Sequence, residues 1–303
     1  MKLLIINNLS SGLQEGGIYD FIRAFSKDND EITLYSTDGT TDFRTFLRNA
    51  SSYDAVVVSG GDGSIATASY FLRNTGIPLV PFPAGTANLL CSNLLQPNEP
   101  HALAQMVRAG KTLDFDMVEM SIGDKSFGFN LMAGAGYDAS IMRDATAAKP
   151  VLGQVAYFTA AAANIKPQVS RFRITIDDEV LEREGVGVLL MNHSKIQFDI
   201  PLSHNANPRD GLVDVAILKS DNALGLLPAL GAAILDRNGE FPNRSSHIEI
   251  HSGKSVFLEC EPALPVEFDG EPLDCNTPFY ARVLPGAARF IVSNEAYEAY
   301  FSA

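Results

Sequence analysis

The chain has 303 residues, of which 46% are hydrophobic and 19% are charged, so it can form packed cores and is not a disordered or low-complexity protein. Its 23 basic and 36 acidic residues give a formal net charge of −13, which argues against a nucleic-acid partner and against adsorption to anionic lipid by charge alone. The length favours two domains.

The cysteines and the apolar segments predict a cytoplasmic protein. Cys91, Cys260 and Cys275 are odd in number and lack C-x-x-C spacing, which is typical of reduced thiols and not of disulfides or structural zinc. The opening residues MKLLIINN predict a strand and not a secretory signal. The longest apolar runs, 151–165 and 223–235, are shorter than the ~20 residues that span a bilayer. We therefore expect no transmembrane segment. Peripheral binding at the inner membrane face is compatible with this expectation.

The first third of the chain alternates between strand and helix signals. Short apolar runs predict strands at 3–6, 32–35, 55–59 and 77–82, and apolar residues at helical spacing predict helices at 18–26, 43–50 and 64–73. This alternation predicts a doubly wound parallel α/β domain over residues 1–117. Such sheets bind ligands at the carboxyl ends of their strands.

After about residue 116 the pattern changes to a period of two. Alternating or apolar segments predict strands at 171–177, 186–191, 212–218, 247–251, 256–259 and 279–284, separated by turn residues. They predict an antiparallel β-sandwich domain over 118–289, with helical insertions near 151–165 and 222–236. A helix is predicted at 294–301, and we expect segment 290–303 to pack back on the first domain.

Gly60, Gly61, Asp62, Gly63 and Ser64 directly follow a predicted buried strand. Glycines allow the backbone to approach a ligand closely, and a helix starting near Ser64 would direct its amino-terminal dipole to the same place. The Ser64 hydroxyl could donate to a phosphate oxygen or cap that helix. The alternative is an ordinary strand-to-helix turn with an aspartate cap.

Two further turns follow predicted strands. Residues 83–88, Pro-Ala-Gly-Thr-Ala-Asn, lead from the strand at 77–82 into another helix, and residues 8–12, Asn-Leu-Ser-Ser-Gly, follow the first strand. Taken alone, the first could be a threonine-capped helix and the second a plain loop. On neighbouring strands of one sheet, they would converge with Gly60–Ser64 on a site suited to a nucleoside triphosphate.

In this order, the three turns resemble the motifs of the lipid kinase family that includes the catalytic domains of diacylglycerol and sphingosine kinases, and the match is closest to its soluble bacterial members. The family motif Asn-Pro-x-Ser-Gly is matched at Asn8, Ser11 and Gly12, without its proline. Gly-Gly-Asp-Gly-Thr is matched at 60–64 with serine last, and Pro-x-Gly-Thr-x-Asn-Asp at 83–89 with Leu89 last.

The resemblance continues in the second half of the chain. Residues 134–139 are similar to Gly-x-Gly-Phe-Asp-Ala, residues 210–215 to Asp-Gly-Leu-Leu-Asp-Val, and residues 269–271 to Asp-Gly-Glu. Motifs spread from residue 8 to residue 271 in family order are specific as a set. Without the others, Asp269 and Gly270 would be interpreted as a two-residue hairpin turn.

The resemblance implies an ATP- and Mg²⁺-dependent kinase whose active site lies in the cleft between two domains. The implied substrate is a lipid at a membrane surface. A homodimer is also compatible with the sequence. It implies that Asp269 is the general base and that Asp62 either holds the magnesium or assists proton removal. The implied nucleotide-binding residues are Asn8, Ser11, Gly12, Gly60, Gly61, Gly63, Ser64, Gly85, Thr86, Asn88 and Glu271.

Some bacterial members carry a structural magnesium site, which the resemblance maps onto Asp116, Asp210 and the carbonyl of Leu212. Leu89 replaces a carboxylate of that network, and Asn207 stands where another is expected. Because a hard cation needs several oxygen ligands and leucine supplies none, this site is in doubt.

Two other functions are compatible with the sequence. NAD kinases and phosphofructokinases, which act on soluble substrates, also carry Gly-Gly-Asp-Gly, but residues 83–88, 134–139 and 269–271 favour the lipid kinases. The second alternative is a nucleotide-binding protein without turnover, in which Leu89 and the altered first motif mark lost catalysis.

Overall fold

The computed structural model describes residues 1–11, 16–136, 168–193, 195–196, 200–201, 207–219, 248–269 and 271–301. The chain divides into two compact units, 1–117 with 285–303, and 118–284. The predicted helical insertions near 151–165 and 222–236 lie outside the described residues.

The first unit is a parallel α/β layer structure. Its elements are β1 (Lys2–Asn8), α1 (Gly17–Phe25), β2 (Glu31–Thr37), α2 (Phe43–Leu47), β3 (Ala55–Gly60), α3 (Asp62–Leu72), β4 (Leu79–Pro83), α4 (Leu89–Asn93), α5 (Pro100–Ala109), the start of β5 (Thr112–Ile122), and α6 (Asn294–Phe301). In its sheet β1 lies between β2 and β3, β4 follows β3, and all these pairs are parallel. The prediction of a parallel α/β domain is confirmed.

The core of the first unit explains why these segments form these elements. Strand β3 is buried along its whole length, which is typical of a central parallel strand with both faces covered. Ile18, Phe21 and Phe25 bury one side of α1 against the same apolar cluster as Leu3 and Val57. Helices cover the sheet and leave its carboxyl edge to the loops.

The second unit is an antiparallel β-sandwich, as predicted. One sheet contains β6 (Lys125–Phe129), β8 (Ser170–Ile176), β9 (Glu179–Gly185), β15 (Ser255–Glu261) and the first part of β18 (Phe279–Ile291). The other has the order β14 (Ile248–Gly253), β13 (Val213–Leu218), β10 (Gly187–Met191), β7 (Met132–Gly136), β16 (Pro265–Phe268) and β17 (Glu271–Asn276). A short pair, β11 (Lys195–Ile196) and β12 (Ile200–Pro201), lies apart from both sheets.

Alternate residues of both sheets meet in one core. Phe172 and Ile174 of β8 pack in the same buried cluster as Val188 and Leu190 of β10. The intervening residues of β8, Arg171 and Arg173, are exposed. This alternation is the period-two pattern of the sequence, expressed as an inner and an outer face.

The structure differs from the predictions at several elements. Helix α2 ends at Leu47 and is followed by a separate 3-10 turn at Ala50–Ser52, where one helix over 43–50 is predicted. Strand β18 does not stop before Pro285 but runs to Ile291, and the Gly286 amide donates to Asp116 Oδ1 at 2.7 Å. Helix α5 is absent from the predicted elements, as are the strands β5, β6, β7, β9, β16 and β17.

Candidate active site

The three predicted loops leave the same edge of the sheet in the first unit. Strands β1, β3 and β4 are parallel neighbours, with Asn7 opposite Ser59 and Gly60 opposite Pro83. Their carboxyl ends therefore coincide, and the loops after Asn8, Gly60 and Pro83 start side by side, as predicted.

Hydrogen bonds join the first loop to the second. Asn8 Nδ2 donates to Ser64 Oγ at 2.9 Å, and Ser11 Oγ accepts the amide N–H of Gly61 at 3.3 Å. Helix α3 begins at Asp62, so Ser64 lies in its first turn and is not its cap. A Cβ on Gly60 would lie 2.8 Å from Ser64 Cβ, so this position has no room for a side chain. Gly12 lies outside the described residues.

The second and third loops touch through their backbones. A Cβ on Gly85 would lie 2.5 Å from Gly61 Cα, a distance at which the backbone has to move. Asn88 closes the third loop, because its Oδ1 accepts the Gly85 N–H at 2.8 Å and its Nδ2 donates to the Gly85 carbonyl at 3.1 Å. Asn88 has a φ of 52°, a left-handed conformation that asparagine tolerates better than most residues. Thr86 is half-buried in this loop.

Asp62 holds the second and third loops together. Its Oδ2 accepts the amide N–H of Leu89 at 3.1 Å, and its Oδ1 accepts that of Leu90 at 2.9 Å. These are the first two amides of α4, so Asp62 caps α4 from the first turn of α3. The alternative interpretation, an aspartate cap, is thus partly right, but the capped helix is the next one along the chain. Burial raises the pKa of the neighbouring Cys91 thiol, and the Asp62 charge adds to that effect.

This arrangement suits an anionic ligand recognised by the main chain. Gly63 is buried, while Gly61, Asp62 and Ser64 are half-buried at the start of α3, where helix amides direct positive potential outward. Residues 8–12, 60–64 and 83–88 contain neither lysine nor arginine. The positive potential at these loops therefore comes from main-chain amides and not from basic side chains.

Asp269, in the second unit, is 6% exposed and has a φ of 43°. Its carboxylate accepts three consecutive main-chain N–H groups, those of Asn130, Leu131 and Met132, each at 3.0 Å. Its own N–H donates to the Met132 carbonyl at 2.8 Å. We call Asn130–Met132 the amide cradle of Asp269; it fixes the direction in which the carboxylate points.

The remaining predicted residues lie in separate places. Glu271 begins β17 and pairs with Phe268, so Asp269 stands in the connection of a two-stranded antiparallel pair. Asp116, 3% exposed, belongs to the first unit, whereas Asp210 belongs to the second and accepts the Leu212 N–H at 2.9 Å. Among the described residues, no group of three or more histidine, cysteine, aspartate or glutamate side chains could hold a metal ion. The predicted magnesium sites use fewer such side chains and stay predictions.

Three residues around Asp269 are not among those predicted from the sequence. Asn130 supplies part of the cradle, and Asn192 and His193, which follow β10, contact the same turn. All three are about 1% exposed. A polar Asn-His pair directly after a buried strand was the one available signal in the sequence.

Comparisons with known proteins agree with this architecture. Residues 2–120 match the model of the diacylglycerol kinase catalytic domain, and residues 132–292 match that of the YegS C-terminal NAD kinase beta sandwich-like domain. A diacylglycerol kinase of Mycobacterium tuberculosis is 28% identical over 257 residues, which cover 80% of this chain and 78% of that protein.

Solved structures share the fold. A diacylglycerol kinase from Bacillus anthracis superposes with a TM-score of 0.71 at 20% identity, covering 97% of this chain and 98% of that one. An NAD kinase from Archaeoglobus fulgidus in complex with ATP gives a TM-score of 0.58 at 13% identity, covering 100% and 98%.

The matched domains and the fold define a kinase, that is, a phosphotransferase. More specifically, the chain belongs to the bacterial diacylglycerol kinase-like lipid kinase family. Within the described residues, no helix is long and apolar enough to cross a membrane.

Proposed function

We propose that the protein transfers the γ-phosphoryl group of ATP to a hydroxyl of a membrane lipid of the diacylglycerol, sphingoid or glycerophospholipid type. The observation that carries this proposal is the closure of three loops into one glycine-lined surface at the start of α3, held by Asn8, Asp62 and Asn88. Family membership supports the transfer reaction, and the diacylglycerol kinase relative supports a lipid acceptor.

ATP is the proposed donor because its triphosphate fits this surface chemically. Gly60, Gly61 and Gly85 present backbone without side chains, so phosphate oxygens can approach the amides directly. Asn8 and Ser11 orient Ser64 and the Gly61 amide from the neighbouring loop. Positioning and charge neutralisation are the main requirements of phosphoryl transfer.

The donor set also suits Mg²⁺, which proteins commonly hold through one or two carboxylates together with substrate phosphates. Asp62 is the carboxylate that would hold the ion, since it lies between Gly61 and Gly63 at the start of α3, where the phosphates would bind. Bound there, Mg²⁺ would neutralise charge on the phosphates, which the lysine- and arginine-free loops do not do. The cap on α4 and the contact with the ion are then two uses of one side chain.

Asp269 is the proposed general base for the acceptor hydroxyl. A base has to lie within hydrogen-bond reach of the proton it accepts, so its orientation matters as much as its basicity. The cradle of three amides supplies that orientation, and burial shields the carboxylate from bulk water. Glu271, two residues on, is proposed to support the nucleotide and metal.

The test is a transfer assay with labelled ATP, with and without Mg²⁺, against diacylglycerol, a sphingoid base and a lysophospholipid in mixed micelles. NAD and fructose 6-phosphate serve as soluble acceptors in parallel. A magnesium-dependent phospholipid product is expected. Transfer to a soluble acceptor with none to any lipid would replace the proposal by a soluble-substrate kinase, and calorimetric ATP binding without transfer would indicate a protein without turnover.

A further inference from the structure

Asn192 and His193 are hydrogen-bonded to the turn that holds Asp269. Asn192 Nδ2 and His193 Nδ1 both lie within hydrogen-bond distance of the Asn130 carbonyl, at 2.9 and 2.8 Å. The main-chain N–H groups of Asn192 and His193 both donate to the Leu131 carbonyl, at 2.8 and 3.3 Å. Two residues thus donate to two successive carbonyls of the amide cradle.

The same peptide planes carry the bonds to Asp269. The Asn130 carbonyl and the Leu131 N–H belong to one planar peptide unit, as do the Leu131 carbonyl and the Met132 N–H. Each plane therefore receives hydrogen bonds from Asn192 and His193 at its carbonyl and donates one to Asp269 Oδ1 at its N–H. Because hydrogen bonds in such chains polarise one another and fix the plane from both ends, a change at residue 193 is transmitted to the carboxylate.

The histidine has a defined state in this arrangement. A carbonyl oxygen only accepts, so Nδ1 of His193 carries the proton. Burial lowers the pKa of His193 to about 4, against the opposing effect of its bond to the Asn130 carbonyl. His193 is therefore neutral near pH 7 and acts there as an Nδ1–H donor.

We infer that Asn192 and His193 are positioning residues that fix the amide cradle, and through it Asp269, for the transfer reaction. The inference rests on the proposed role of Asp269 as base. It assigns no contact with substrate to either residue. Its distinguishing consequence is that a correctly placed donor at position 193 suffices, whereas bulk alone does not.

Three substitutions at position 193 separate the donor from the bulk. In His193→Asn, the amide nitrogen lies about where Nδ1 lies, so the bond to Asn130 is kept. In His193→Gln the amide reaches towards the Nε2 position, and in His193→Leu no donor remains. We expect kcat to fall by up to about 100-fold in His193→Leu, in line with misplacement of a catalytic group by about 1 Å. His193→Asn should recover most of that loss and His193→Gln little of it, with the KM for ATP unchanged in all three.

A loss of stability alone would give a different result. Leu258→Ala, in the opposite sheet of the sandwich core, destabilises the same unit without touching the cradle and should keep its kcat at temperatures where it is folded.

The pH profile gives a second readout. Loosening the cradle withdraws hydrogen bonds from the Asp269 carboxylate, so the acid limb of the kcat/KM profile should move to higher pH in His193→Leu and return to its wild-type position in His193→Asn. Leu258→Ala should leave that limb in place.

Amide hydrogen exchange at residues 130–132 gives a readout that needs no activity. We expect these amides to exchange faster in His193→Leu than global stability accounts for, and to regain protection in His193→Asn. If the wild-type protein phosphorylates no acceptor, the proposed function fails while this readout still tests the positioning. Wild-type kcat together with wild-type protection in His193→Leu would overturn the inference. Equal losses in His193→Asn and His193→Gln would also overturn it. Where His193→Leu does not fold, the comparison of His193→Asn with His193→Gln is the deciding test.

Discussion

The two units use main-chain amides around a carboxylate in opposite ways. In the first unit, half-buried Asp62 accepts the leading amides of α4 and thereby joins two loops that present their own backbone outward. In the second, Asp269 is itself the group held in place, by three amides of a distant turn. One carboxylate joins two loops, and the other is held in place by its surroundings. An aspartate next to a glycine can therefore serve either purpose, and its hydrogen-bond partners decide which.

The strongest way to break the first arrangement is to separate the loops. In Gly85→Val, the new side chain would meet the Gly61 backbone, with its Cβ only 2.5 Å from Gly61 Cα. Overpacking of this kind costs about 1–3 kcal/mol. Because that cost falls on the loop arrangement proposed to bind ATP, we expect ATP affinity to fall roughly 5- to 150-fold by calorimetry. Gly16→Ala is the control, since the nearest atom to its Cβ lies 4.0 Å away. Unchanged ATP affinity in Gly85→Val would contradict the proposed role of these loops.

The substitution Asp62→Ala distinguishes the role of Asp62 as the cap of α4 from its proposed role as a cation ligand. Loss of the α4 cap should lower the free energy of unfolding by about 1 kcal/mol in urea titrations. A purely capping role predicts the same loss of ATP affinity with and without Mg²⁺, whereas the proposed double role predicts a larger loss with Mg²⁺. Asp42→Ala, which removes the side-chain cap of α2, is the matched control for stability alone. An unaltered magnesium dependence in Asp62→Ala would remove Asp62 from the cation site.

A further prediction concerns the pH dependence of stability in the second unit. The pKa of His193 is about 4 in the folded protein against 6.5 for an ordinary histidine, so the unfolded chain binds the extra proton first as the pH falls. The stabilisation is complete above pH ~6.5 and is lost progressively down to pH ~4, by up to about 3 kcal/mol. His193→Asn lacks this group, so the difference between the unfolding free energies of the two proteins should change over that range. A constant difference would show that His193 is not buried in its neutral form.

The first arrangement could be predicted from the sequence largely because it is local. Parallel strands whose ends share an edge bring Asn8, Gly60 and Pro83 together once the alternation of strands and helices is identified. The partner of Asp62 could not be predicted, because capping of α4 depends on how two turns pack and not on spacing. Helix α5 was missed although Pro100 at its start and Gly110 after its end, with a φ of 66°, are ordinary boundary signals.

The second arrangement is mostly non-local. Asp269 and the cradle are separated by 137 to 139 residues along the chain, so no spacing rule connects them. The motif at 269–271 identified the aspartate through the family resemblance, while the amides that hold it come from a turn without a sequence signal of its own. Pro285 shows the same limit, since a proline that indicates the end of a strand lies within β18.

The most direct test of the account is single-turnover transfer by Asp269→Asn, compared with Asp178→Asn, which makes the same change at an exposed aspartate of the same unit. If Asp269 is the base, Asp269→Asn should lose roughly 100- to 10,000-fold in the rate of lipid phosphorylation while its calorimetric ATP affinity stays within about twofold of the wild type. Asp178→Asn should keep both. A wild-type transfer rate in folded, ATP-binding Asp269→Asn would contradict the account.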